Sequence, residues 1–262
     1  MRRGQTRHML SLEYPQKIMD GILRCSRYAF GPNRLHYCGP DANSELLAYI
    51  REGQSDPGLS KIMSAFQTLY PYLELIARSN NIRDPFDERV VEAYWLGNEL
   101  LDRVQQKALY KNLTEDHGLK KKIGINHFSR LETKIRQHAV PHHSFHVFNV
   151  WLRTGNMKIP HTLETMDSCR IGWGKVIEVA GPSITIESEP LLQDKGEKFY
   201  LGAPQRKKLT RKLESTDEIE QLKPGDILTF HWEVPCEVIS EKQAAVLKKY
   251  TFQNVAFLNQ GV

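Results

Sequence analysis

The soft and borderline metal donors of this chain, four cysteines and ten histidines, are unevenly placed. Cys169 sits in the stretch MDSCRIGWGKVIEVAG, residues 166–181, five residues ahead of a Gly-Lys pair and a run of β-formers. A thiolate at that point is a soft ligand suited to iron, copper or zinc; the competing account is a small buried hydrophobe. Four of the ten histidines, His138, His142, His143 and His146, fall within HAVPHHSFH. His142 and His146 share a face in a strand, by even parity, and in a helix, as i and i+4. That spacing allows two imidazoles on one metal, as in zinc and iron sites. No carboxylate is local, so Glu132 or the Asp84, Asp87 and Glu88 group would reach it only through folding. The structural alternative is that these rings hydrogen-bond inside a buried segment or cap a helix ending near His138. A third grouping, RYAFGPNRLHYCGPD over 27–41, places Arg27, Arg34, His36, Cys38 and Asp41 in a turn-rich stretch. It reads either as a loop lining a pocket or as a packed turn.

The elements that must carry these groups change character along the chain. A helix is expected over 43–53, with Leu46, Leu47 and Ile50 on one face. A second runs over 57–79, kinked or divided at Pro71. A third begins with Asp84 as N-cap and Pro85 at its first position, and continues through LLDRVQQKALY. A fourth covers 126–138 and stops before Pro141. Beyond Pro141, SFHVFNVWL has the β-branched and aromatic content of a strand. The polar RTGNMKIPHTLETMDS is the linker candidate. From Cys169 onward WGKVIEVAG, SITIESE and LKPGDILTFHWEVPCEVIS read as strands, and EKQAAVLKKYTFQNV begins as a helix. The fold class is therefore α+β. A mainly α-helical region over 1–165 precedes a small oligonucleotide/oligosaccharide-binding-type β-barrel with a C-terminal helix over 166–262.

The 262 residues suffice for one large or two ordinary domains, at roughly 100–200 residues each. The net charge of +5 lies in the first 168 residues, which hold 23 basic and 18 acidic groups. From Cys169 on, 13 of each sign cancel. Nucleic acid is not an expected partner. The basic RKKLTRK over 206–212 lacks the interleaved aromatics of a single-strand platform. No run approaches the ~20 apolar residues of a membrane helix, and the first residues lack a signal-peptide core, so a cytoplasmic protein with no membrane partner is expected. Cys25, Cys38, Cys169 and Cys236 lie far apart without a C-x-x-C pair, which favours reduced thiols over a disulfide framework.

Two motifs carry a resemblance. CRIGWGKVIEV over 169–179, followed in order by PGDILTFHWEVPCEVIS and the helix SEKQAAVLKKY, resembles the HypC/HupF hydrogenase maturation chaperones. The resemblance covers about residues 169–250, and the extra length relative to that family falls in 190–215. It implies transient binding of iron as an iron–cyanide–carbonyl unit. That unit is accepted with a HypD-like maturation protein and handed to the precursor of the nickel–iron hydrogenase large subunit. Cys169 matches the family's metal-binding cysteine and His231 its histidine. Trp173, Gly174 and Lys175 are the expected partner-binding residues. Two departures stand out: Cys169 follows 168 residues instead of standing at an N-terminus, and Trp173 occupies the place of a proline common before the Gly-Lys. The N-terminal phrases CGPD and DPFDERVVEAYWLGN resemble an uncharacterised bacterial and archaeal domain family, which implies no chemistry. The rival reading is a metal-dependent enzyme with a second metal on His142 and His146, the barrel serving only to dock it.

Overall fold

A computed structural model describes residues 20–211 and 221–261 of the chain. The first 19 residues, and Lys212 at the end of the basic stretch, lie outside the described residues. The helices are α1 (Gly21–Asn33), α2 (Asn43–Glu52), α3 (Pro57–Ser64), α4 (Leu69–Ser79), α5 (Glu88–Trp95), α6 (Gln106–Lys111), α7 (Leu119–Ile123) and α8 (Ile125–Arg136). Then come the short α9 (His143–Phe145), α10 (Leu163–Cys169) and the long C-terminal α11 (Glu241–Leu258). The strands are β1 (Gly172–Ala180), β2 (Ser183–Ser188), β3 (Leu191–Gln193), β4 (Phe199–Leu201), β5 (Gln205–Thr210), β6 (Ile227–His231) and β7 (Val234–Ile239). The molecule is α+β, with a helical N-terminal region, a small antiparallel sheet and a C-terminal helix.

The sheet has the order β5-β2-β1-β6-β7, and β3-β4 form a separate ribbon. Neighbouring strands pair antiparallel, with Val176 opposite Ile186 and Gly174 opposite both Ser188 and Leu228. Among the described residues no ladder joins β5 to β7, so the expected barrel does not close by hydrogen bonds. Helix α1 packs instead against β6 and β7, meeting the side chains of Thr229, His231 and Glu237.

That packing is tight and partly ionic. All thirteen residues of α1 are buried. Arg24 donates from Nε and Nη2 to the Glu237 carboxylate on β7 at 2.9–3.1 Å, and Tyr28 Oη donates to the same carboxylate at 2.6 Å. Gly31 is where the helix touches the end of β6: a Cβ there would lie 2.3 Å from the His231 carbonyl oxygen. One apolar cluster accordingly runs from Ile22 and Leu46 through Tyr94 to Cys236, Ile239 and Leu247, across the 165/166 boundary.

Several expected elements are altered. The helix over 57–79 is divided into α3 and α4, and Pro71 falls in the first turn of α4, where a missing N–H costs nothing. The helix expected from Asp84 starts later. Asp84 Oδ1 accepts only the Phe86 N–H, and Asp87 is the true N-cap, taking the Arg89 N–H at 3.0 Å. It also stops at Trp95, because Gly97 takes φ +92° and Asn98 caps a new 3-10 turn over Glu99–Arg103. The strand expected after Pro141 is helical: α9 continues as a π-helical turn over His146–Val150. Every residue from His143 to Val150 is buried, so its apolar, β-branched content records burial on all sides and not a pleat. The linker candidate contains α10, started by a reciprocal Thr162/Thr165 cap.

Candidate metal centre

Three donors meet at the seam between the helical and sheet-bearing parts. His143 comes from the start of α9, Cys169 from the last residue of α10, and His231 from the last residue of β6. One ligand atom from each lies within 4.8 Å of the other two, and all three residues are buried. Among the described residues no other group of three His, Cys, Asp or Glu side chains has this geometry.

Local sequence explains each placement. The His142 Nδ1 accepts the Ser144 N–H at 3.1 Å and so starts α9, which aims the next residue, His143, at Cys169. Cys169 ends its helix because Arg170 turns extended, with φ −68° and ψ 153°. His231 closes β6 at a two-residue turn in which Trp232 and Glu233 both take positive φ, 50° and 64°. Tight hairpins demand that conformation, yet Asn-Gly usually supplies it. Two bulky residues there are strained, and such strain persists only where the surroundings over-determine it. Here the Trp232 N–H donates to the Ser168 carbonyl at 2.9 Å, and its carbonyl accepts from Arg34 at 3.2 Å. The turn thus ties β6 to the residue before Cys169.

The protonation chemistry suits a metal. His231 Nδ1 donates to the Tyr28 carbonyl at 2.6 Å, which fixes the tautomer, while its buried Nε2 has no hydrogen-bond partner. An imidazole oriented by a backbone carbonyl with a free lone pair on the other nitrogen is the usual form of a metal ligand. His143 lies 2.8 Å from the Cys169 carbonyl through Nε2 and 3.2 Å from Tyr94 Oη through Nδ1. Burial lowers the His231 pKa to about 4 and that of His143 well below the ordinary range, so both rings are neutral at pH 7. Burial raises the Cys169 thiol, partly offset by Arg153 and by the Trp232 side chain. A soft ion binding here must expel one thiol proton and none from the histidines.

The donors line a cavity of about 40 Å³ together with Cys38, Tyr94, Trp95, His146, Arg153 and His161. That volume exceeds the roughly 10–15 Å³ needed by one water, so an ion with small co-ligands fits. No aspartate or glutamate lines it. The set of two nitrogens and one sulfur suits zinc, copper or iron and does not suit magnesium or calcium, which require oxygen donors.

The remaining expected residues fall elsewhere. His142 and His146 do not come together on one metal. His142 stacks on Tyr250 at 5.2 Å, whereas His146 donates from Nε2 to the Leu152 carbonyl at 2.5 Å and meets Tyr72 Oη through Nδ1. His142 is the extended N-cap of α9, with φ −92° and ψ 148°, so it lies outside the helix and the i, i+4 relation is lost. His143, between them, is the donor missed by the spacing argument. Trp173 is half-buried under the Arg170 guanidinium at 5.6 Å, Gly174 is buried in β1, and Lys175 alone of that trio is exposed. Cys25 and Cys236 are buried core thiols away from the cavity, and Cys38 lines it.

A family model matches residues 17–262, nearly the whole chain. The chain belongs to DUF6390, a family of unknown function. The match spans helices and sheet together, so both parts of the metal centre lie inside one family unit. No functionally curated protein is detectably similar. No solved structure is detectably similar either.

Proposed function

We propose that this protein is a metallocentre assembly factor that holds iron through His143, Cys169 and His231, its cargo being an iron–cyanide–carbonyl unit for nickel–iron hydrogenase. The observation that carries the metal reading is the meeting of three buried donors within 4.8 Å around a cavity. Two of the three, Cys169 and His231, are the residues the HypC/HupF resemblance picks out. A thiolate and imidazoles are apt for low-spin iron with strong-field ligands, and fewer than four protein donors leave the load transferable. In this reading a HypD-like protein and the large-subunit precursor are the partners, with Lys175 on the exposed side of β1. No helix among the described residues is long and apolar enough to cross a membrane.

The test is infrared spectroscopy with iron quantification. The full chain is purified without oxygen from cells that also express the hydrogenase maturation proteins, beside Cys169→Ala. Cyanide and carbonyl stretching bands in the wild type, lost in the variant, are the expected result. Stoichiometric metal without those bands would sink the cargo and keep the site.

A metal-dependent enzyme is the second reading, favoured by one feature. Three protein donors leave a fourth position facing the cavity, as catalytic metal sites do.

A further inference from the structure

The cavity wall contains one permanent cation and no anion. Arg153 lines it beside all three donors, and its Nε is buried without a hydrogen-bond partner. Its Nη2 makes a long bond to the Thr165 carbonyl at 3.3 Å, its guanidinium lies 5.9 Å from the Trp232 ring, and it also interacts with the Cys169 side chain. Among the described residues no carboxylate pairs with it. His161, on the same cavity wall, has both ring nitrogens buried and unpartnered. Leaving such groups unsatisfied is costly, and natural structures rarely tolerate a cluster of them without a ligand.

Charge balance points the same way. A divalent ion on two neutral imidazoles and one thiolate keeps one positive charge, and Arg153 adds a second. The pocket lining carries no carboxylate to offset those two positive charges. We infer that Arg153 and His161 form an anion subsite beside the metal position, and that the cavity takes a metal carrying a small anion of about one to three atoms. The size limit follows from the cavity of about 40 Å³. The inference rests on the metal reading of His143, Cys169 and His231. A guanidinium offers fixed, forked donors to such an anion, and a neutral His161 offers one more.

The test uses the full chain loaded with cobalt(II), whose thiolate-to-metal absorption reports the site, and azide as the anion. Azide should shift the wild-type spectrum. At saturating cobalt, Arg153→Met should weaken azide by about tenfold or more, and Arg153→Lys should fall between. Equal azide affinity in wild type and Arg153→Met would overturn the subsite and leave Arg153 as a mere neighbour of the thiol. If the wild type takes no cobalt, the metal reading fails by itself. The subsite is then judged on the metal-free chain: azide raising the melting temperature of the wild type but not of Arg153→Met supports it, and an equal response overturns it.

Discussion

Acid should unfold this protein abruptly, and the cause is a set of buried neutral histidines. Burial lowers His117 and His142 to about 3, His146 and His231 to about 4, and His143 well below its ordinary value. In the unfolded chain each returns to about 6.5. Between those values the unfolded state binds protons that the folded state refuses, so stability falls as pH falls. The contribution is fully present above pH 6.5 and is lost through the window from 6.5 down to about 4. For a folded pKa of 4 or lower, each histidine costs about 0.8 kcal/mol at pH 6 and about 2 kcal/mol at pH 5. The four with such values, His117, His142, His146 and His231, cost on the order of 8 kcal/mol at pH 5, and His143 acts in the same direction; that is comparable with the whole stability of a typical domain, about 5–15 kcal/mol. The expected midpoint is therefore near pH 5, above the range where carboxylate protonation unfolds ordinary proteins. Circular dichroism and urea titrations at half-unit steps from pH 8 to 4 measure it. A flat stability from pH 7 to 4.5 would refute the reasoning, because the rings would then have to be charged or exposed.

Other consequences can be checked on the same material. Zinc or cobalt at about a hundredfold over its dissociation constant should add about 2.7 kcal/mol of stability. Cys169→Ser and His231→Ala should abolish that gain in a thermal melt, and His142→Ala should keep it. Gly31→Ala should cost about 1–3 kcal/mol and weaken metal binding, since its Cβ meets the His231 backbone and not a movable side chain. An unchanged melt and unchanged cobalt titration for that variant would mean that α1 does not brace the site. Arg24→Met should destabilise by about 3–5 kcal/mol in urea, because the Glu237 carboxylate is left buried with only Tyr28. Removing both charges with Arg24→Met and Glu237→Leu should recover part of that loss.

What could be read from the sequence divides along local and long-range lines. The helix at 43–52, the break before Pro71, the sheet strands after Cys169 and the capped helix α11 all follow from periodicity and from local side-chain chemistry. Cys169 and His231 stood out because their motifs carry them. His143 did not, since a donor at the first position of a three-residue helix has no periodic signature. The segment 143–150 misled because buried helical and buried strand residues share one composition. Its π-helical turn was unreadable for the same reason, and the packing of α1 on β6 and β7 is a long-range contact with no local signal. The one local clue to His143 was His142-x-Ser144, a side-chain cap that starts a helix there. The strained Trp232-Glu233 turn was also hidden, because neither residue type suggests positive φ.

The placement of the donors constrains how any load could be held and released. His143 precedes the 165/166 boundary, whereas Cys169 and His231 follow it, so a bound ion joins the helical part to the sheet through coordinate bonds. Its binding energy is then partly folding energy, as in other sites assembled from distant segments. Transfer requires the opposite, a way out. Trp151 and His161 line both the inner cavity and an outer cleft of about 430 Å³ that also holds His127, Arg130 and Lys134. Trp151 stands at φ 62° with its ring half-exposed, packed on His161 at 5.3 Å and on His127 at 4.8 Å. It separates the two spaces and stands in a costly backbone conformation. The fixed Cys169 cannot swing out with a cargo as a loose N-terminal cysteine can, because its carbonyl is held by His143 and its helix by the Thr162 cap. In the carrier function proposed above, exchange of the load would run through the Trp151–His161 wall, beside His127, Arg130 and Lys134 of the outer cleft.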